Sequence, residues 1–133
     1  MKKIFIPLVI LFITLIGFSQ EKPSGWKELD DFHAIVAPVF HTFEKGNFHA
    51  AKDSAGLVLD RARSWQASNI PPGLDASIYK PLIDKLVAQC LLVYDAVQTK
   101  KTDEELKPLL RKAHNTFHEI LAKYNQSDNK PKS

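Results

Sequence analysis

The chain is poor in sulfur: it has one cysteine, Cys90, and one methionine, Met1. A single cysteine excludes an intramolecular disulfide, even in an oxidising compartment. Because Met1 is the first residue, the rest of the chain offers no thioether ligand for a metal or a haem. Cys90 stands between apolar residues at helical spacing, which is typical of a small buried hydrophobic residue.

The sequence also has no excess of charge of one sign. Without Lys2 and Lys3, 16 basic residues face 15 acidic ones, and the two signs are interspersed. No basic stripe alternates with aromatic residues, so the sequence has no nucleic-acid-binding pattern. It also contains no phosphate-binding loop, no nucleophile beside a general base and no Glu-x-x-His pair of the di-iron bundles. These absences indicate a protein that is not an enzyme.

The first 19 residues have the pattern of a secretory signal peptide. Lys2 and Lys3 precede an apolar stretch, residues 4–18, which is short for a full membrane span. Gly17 and Ser19 are small residues suited to a cleavage site near Ser19 or Gln20. We therefore expect a mature protein that is periplasmic or secreted and not anchored in a membrane.

The rest of the chain lacks the alternating pattern of β-strands. Four runs instead carry apolar residues at gaps of three and four, as amphipathic helices do. Short breaks separate the runs, with Gly46 and Asn47 after the first, Pro71 to Gly73 after the second, and the capping box of Thr102 and Glu105 before the fourth. We predict an all-α, up-down-up-down antiparallel four-helix bundle over residues 20–124, followed by a disordered tail over residues 125–133.

Histidines are the candidate site of this bundle. With a rise of about 1.5 Å per residue, His33 lies about 10 Å above the base of the first helix. On the descending fourth helix, His118 lies about 9 Å and His114 about 15 Å above the same end, whereas His41 lies at about 22 Å. The first and fourth helices are neighbours in such a bundle, so His33, His114 and His118 share a level.

The angular positions of these histidines give a second test. His33 and His114 lie to one side of the apolar stripes of their helices, and for one of the two possible turns of the bundle these sides face each other. Two histidines at i and i+4 can bind one metal ion, and a histidine from a neighbouring helix adds a third ligand. We predict a zinc or copper site formed by His33, His114, His118 and the higher His41. Asp30 and Glu119 are candidate ligands or hydrogen-bond partners of the imidazoles.

The segment Arg111-Lys112-Ala113-His114-Asn115-Thr116-Phe117 resembles the haem-attachment end of cytochrome c-prime and of the related soluble b-type four-helix cytochromes. The resemblance places His114 at the haem-ligating histidine and makes His33 the nearest counterpart of the second axial ligand. It covers this short segment, the bundle architecture and the signal peptide. It implies an electron carrier with His33 and His114 as ligands of haem b.

The chain departs from that family at Leu110 and Ala113, which stand where covalent attachment needs cysteines, so covalent haem is excluded. His118 has no role in a haem protein but an evident one in a metal site. Three functions stay open at this point: a metal-binding protein, a b-type haem carrier, and a structural or interaction bundle without a ligand. A homodimer is compatible with each of them.

Overall fold

The computed structural model describes residues 24–128, which form four α-helices in sequence. Helix α1 spans Lys27–Glu44, α2 spans His49–Ala67, α3 spans Ala76–Gln98 and α4 spans Asp103–Asp128. Each helix packs closely against the next along the chain. The predicted all-α four-helix bundle is confirmed. None of the described helices is both long and apolar enough to cross a bilayer.

The helices begin and end largely where their local sequence signals are. At the end of α1, Gly46 has a φ of +82°, and the amides of Gly46 and Asn47 bond to the carbonyls of Phe43 and Thr42. This is a Schellman motif, which satisfies carbonyls that the last helical turn leaves without partners. At the start of α4, the predicted capping box is present. The Thr102 amide bonds to Glu105 Oε2 at 2.9 Å, and the Glu105 amide bonds to Thr102 Oγ1 at 3.2 Å.

The last helix is longer than the sequence predicts, and prolines lie inside three of the helices. Helix α4 continues to Asp128, so residues 125–128 are helical where a disordered tail was predicted. Pro38, Pro81 and Pro108 all lie inside helices that continue past them. The predicted signal peptide, residues 1–19, and the end of the tail lie outside the described residues.

An aromatic cluster fills the lower half of the core, at the end where α1 begins. Trp26, 1% exposed, lies with its ring centroid 5.4 Å from that of Trp65 on α2, 5.3 Å from Tyr79 on α3 and 5.6 Å from Tyr124 on α4. The Tyr124 hydroxyl donates to the Ser24 carbonyl at 2.6 Å. Trp26 therefore joins the chain before α1 to the other three helices.

Helices α1 and α4 approach each other much less closely than the other adjacent pairs. The small residues Ala51, Ala55 and Ala62 line the buried face of α2. By contrast, bulky rings meet between α1 and α4. The ring centroids of Phe32 and Phe117 are 5.2 Å apart, and those of Phe40 and His114 are 4.4 Å apart. Bulky rings keep the two backbones apart and leave an open groove along this seam.

Candidate metal site

The open seam between α1 and α4 contains a cavity of about 310 Å³, which we call the histidine groove. All four histidines proposed from the sequence line it. Its lining residues are His33, Ala37, Phe40, His41 and Glu44 from α1 and His114, Phe117, His118 and Leu121 from α4. The bundle has therefore adopted the turn for which the two histidine-bearing sides face each other.

His114 and His118 form the centre of the groove. They are one helical turn apart on α4, and their Nε2 atoms are 2.7 Å apart, within hydrogen-bonding distance. Because each neutral imidazole has one N–H and one lone pair, one ring donates to the other. The two rings thus present adjacent nitrogens to a single point, which is what a pair of i, i+4 histidine ligands requires.

Three polar α1 side chains, His33, His41 and Glu44, line the groove with this pair. The His33 ring packs on Phe117 at 5.5 Å between centroids, below His114. His41 is exposed, and Glu44 Oε1 lies 3.6 Å from His114 Nδ1. Within residues 24–128, no three His, Cys, Asp or Glu side chains already stand close enough to hold a metal ion. A metal ion held by the histidine pair would therefore need a side chain of α1 to move closer if it is to have a third protein ligand.

The two predicted auxiliary carboxylates have other positions. Asp30 accepts hydrogen bonds from the Ser24 amide at 3.2 and 3.0 Å and so fixes the chain before α1. Glu119 is exposed and does not line the groove. The carboxylate that does reach a histidine is Glu44, which sequence reasoning missed. The signal was available, because Glu44 continues the line of His33, Ala37 and His41 by one more turn.

Two other residues of metal-binding type, Cys90 and His49, do not line the groove. Cys90 is buried, and desolvation raises the pKa of its thiol to about 12, so it stays protonated at neutral pH. His49 lines a separate cavity with Asn47 and Lys52 at the α1–α2 turn. His49 is thus a histidine of the same chain outside the candidate site, and its replacement provides a matched control.

The pKa of His114 is lowered from its ordinary value. Burial is the main cause, the neighbouring His118 and His41 add to it, and Glu44 opposes it. The folded protein therefore keeps His114 neutral at a pH where the unfolded chain already binds a proton. A group of this kind contributes stability above its unfolded pKa, near 6.5, and that contribution is lost as the pH falls.

We accordingly expect the unfolding free energy of the metal-free protein to decline from pH 7.5 to pH 5.5, measured by urea denaturation. His114→Gln should make this decline shallower, because glutamine has no proton to gain. Leu92→Ala, which removes an exposed side chain that does not titrate, should leave the slope as in the wild type. A His114→Gln slope equal to that of the wild type would show that His114 does not resist protonation in the folded state.

Comparison with family models, curated proteins and solved structures gave no match for this chain. The resemblance to the four-helix cytochromes therefore rests on the short segment around His114 and on the architecture alone.

Proposed function

We propose that this protein binds one transition-metal ion, zinc or copper(II), in the histidine groove. The observation that carries the proposal is the convergence of His114 Nε2 and His118 Nε2, 2.7 Å apart, in a cavity also lined by His33 and His41. Imidazole nitrogen suits both metals. Copper(I) is disfavoured because the thiol of Cys90 is buried and protonated.

The pair needs only a small movement to accept a metal. Zinc–nitrogen bonds of about 2.0–2.1 Å at tetrahedral angles separate two ligand nitrogens by about 3.3 Å. The two nitrogens must therefore move apart by about 0.6 Å, and the Nε2 hydrogen between them must be lost in favour of the Nδ1–H tautomer as the metal binds. His33 or His41 would supply a third ligand, and water would complete the tetrahedron.

Such a metal would join α1 to α4 across their loosely packed seam. The role that fits is to buffer, deliver or sense the metal, because no serine, threonine or cysteine that could act as a nucleophile lines the groove. The N-terminal pattern at residues 1–19 supports export, which would make this a periplasmic or secreted metal-binding protein.

The haem alternative receives no support from the groove. A bis-histidine haem needs the His33 and His114 rings on opposite sides of an open slot. Phe117 packs against the His33 ring and Phe40 against the His114 ring, at 5.5 and 4.4 Å between centroids, so an aromatic side chain lies against each of the two rings. His114 Nε2, which would have to bind the iron, instead lies 2.7 Å from His118 Nε2. The groove therefore favours a single metal ion over a haem.

A melting scan of the metal-free protein with and without zinc tests the proposal. A metal that binds only the folded state at a hundredfold excess over its Kd stabilises the protein by about 2.7 kcal/mol. For a domain of this size we expect the Tm to rise by about 10 °C. The His49→Ala control should show the same rise. An unchanged Tm in zinc and in copper(II) would instead favour a bundle without a ligand.

A further inference from the structure

We propose that Glu44 is a positioning residue of the metal site, a proposal that rests on the function proposed above. Its carboxylate holds the Nδ1–H tautomer of His114 and thereby leaves the Nε2 lone pair of His114 free to bind the metal. Glu44 does not have to be a ligand itself for this role.

The position of Glu44 suits this task. It is the last residue of α1, and its Oε1 lies 3.6 Å from His114 Nδ1. The His114 side chain is only 17% exposed and is held by the rings of Phe40 and Phe43, at 4.4 and 6.3 Å between centroids. The ring of His114 therefore has little freedom to turn its Nδ1 away from the carboxylate.

The tautomers of both histidines then follow from the chemistry of a neutral imidazole, which has one N–H and one lone pair. A carboxylate accepts hydrogen bonds only, so the His114 nitrogen that faces Glu44 carries the hydrogen. His114 Nε2 is then the acceptor in its 2.7 Å contact, and His118 Nε2–H is the donor. The result is a directed chain from His118 through His114 to Glu44.

This order prepares one ligand before the metal arrives. His114 already directs a lone pair into the groove, and only His118 has to give up its Nε2 hydrogen for the other tautomer. At 3.6 Å the contact between Glu44 and His114 is longer than a hydrogen bond, so in the metal-free protein the negative carboxylate favours the Nδ1–H form through its charge. Metal binding should shorten this contact to a hydrogen bond, because a ligating imidazole donates more strongly through its second nitrogen.

The placement of Glu44 is otherwise unfavourable, which strengthens the argument for a functional role. A carboxylate in the last turn of a helix lies at the negative end of the helix dipole. Its side chain is 54% exposed, so packing does not require it. A local choice that works against helix stability is expected mainly at functional sites.

Nitrogen-15 NMR of the histidine rings of the metal-free protein, at a pH above 7.5, tests the assignment directly. In the wild type we expect His114 in the Nδ1–H form and His118 in the Nε2–H form. Glu44→Ala should shift His114 toward Nε2–H. Glu44→Gln, whose amide oxygen still accepts a hydrogen bond, should retain much of the wild-type tautomer, and Glu119→Ala should retain all of it.

Zinc affinity provides the second readout. Loss of such a partner typically weakens metal binding about 10- to 100-fold, and we expect this range for Glu44→Ala and a smaller loss for Glu44→Gln. If His114 keeps the Nδ1–H form in Glu44→Ala, the role of Glu44 is wrong, whether or not the protein binds zinc. If no variant binds zinc but the tautomer shifts, Glu44 positions His114 and it is the metal function that fails.

Discussion

Replacing Trp26 with alanine should destabilise the protein by about 3–5 kcal/mol, the range for removing a large aromatic side chain from a core. Trp26 is 1% exposed and lies against rings of α2, α3 and α4. The substitution leaves a cavity where those helices meet, which the rigid neighbouring rings cannot fill. Since the unfolding free energy of small domains is only about 5–15 kcal/mol, the substitution should remove a large part of it.

Urea denaturation followed by circular dichroism measures this effect. Trp26→Phe should cost much less, because phenylalanine keeps a ring in the cluster and removes a buried indole N–H that has no hydrogen-bond partner among residues 24–128. Leu92→Ala is the matched control: Leu92 is 53% exposed, so its loss should change stability by less than about 0.5 kcal/mol. Equal losses for Trp26→Ala and Leu92→Ala would contradict the described core.

The fold could be predicted from the sequence because its signals are local. Apolar spacing, Gly46 and the Thr102–Glu105 capping box each fix an element through neighbours a few residues away. The end of α4 could not be predicted in the same way. The polar residues after Tyr124 give no apolar periodicity, yet the helix continues to Asp128.

The histidines that line the groove could be predicted from the sequence, but their arrangement within it could not. For one of the two possible turns of the bundle, rise and rotation placed His33 and His114 on facing sides, and all four candidate histidines line the groove. The heights were less accurate, because they describe the backbone. Side chains of a helix lean toward its N-terminus, so those of α1 and α4 lean in opposite directions. From backbone rise alone, His41 lies about 7 Å above His114. Because the two sets of side chains lean toward each other, Phe40, the neighbour of His41, still packs on His114.

The width of the groove and the part played by Glu44 depend on tertiary packing. The gap that rings maintain between α1 and α4 has no pattern in the sequence. Glu44 does follow His41 on the same side of α1, but its 3.6 Å approach to His114 depends on how the two helices pack. Histidine spacing therefore identifies which residues meet, whereas the orientation of each nitrogen needs the structure.

The largest functional effect should follow from removing the histidine pair. His114→Ala combined with His118→Ala takes away both nitrogens that converge in the groove. Loss of a mere orienting partner already costs about 10- to 100-fold in metal affinity, so loss of two ligands should cost more than 100-fold. His33→Ala and His41→Ala, measured singly, identify the third ligand by which of the two weakens binding.

Calorimetric titration of the metal-free protein with zinc is the most direct test of the metal site. The account predicts saturable binding of one zinc ion per chain in the wild type and in His49→Ala, and a loss of more than about 100-fold in the His114→Ala, His118→Ala double variant. Circular dichroism of the double variant should remain helical, because His114 is only partly buried and His118 is exposed. Zinc binding of wild-type strength in a folded double variant, or no saturable binding by the wild type, would contradict a metal site in the histidine groove.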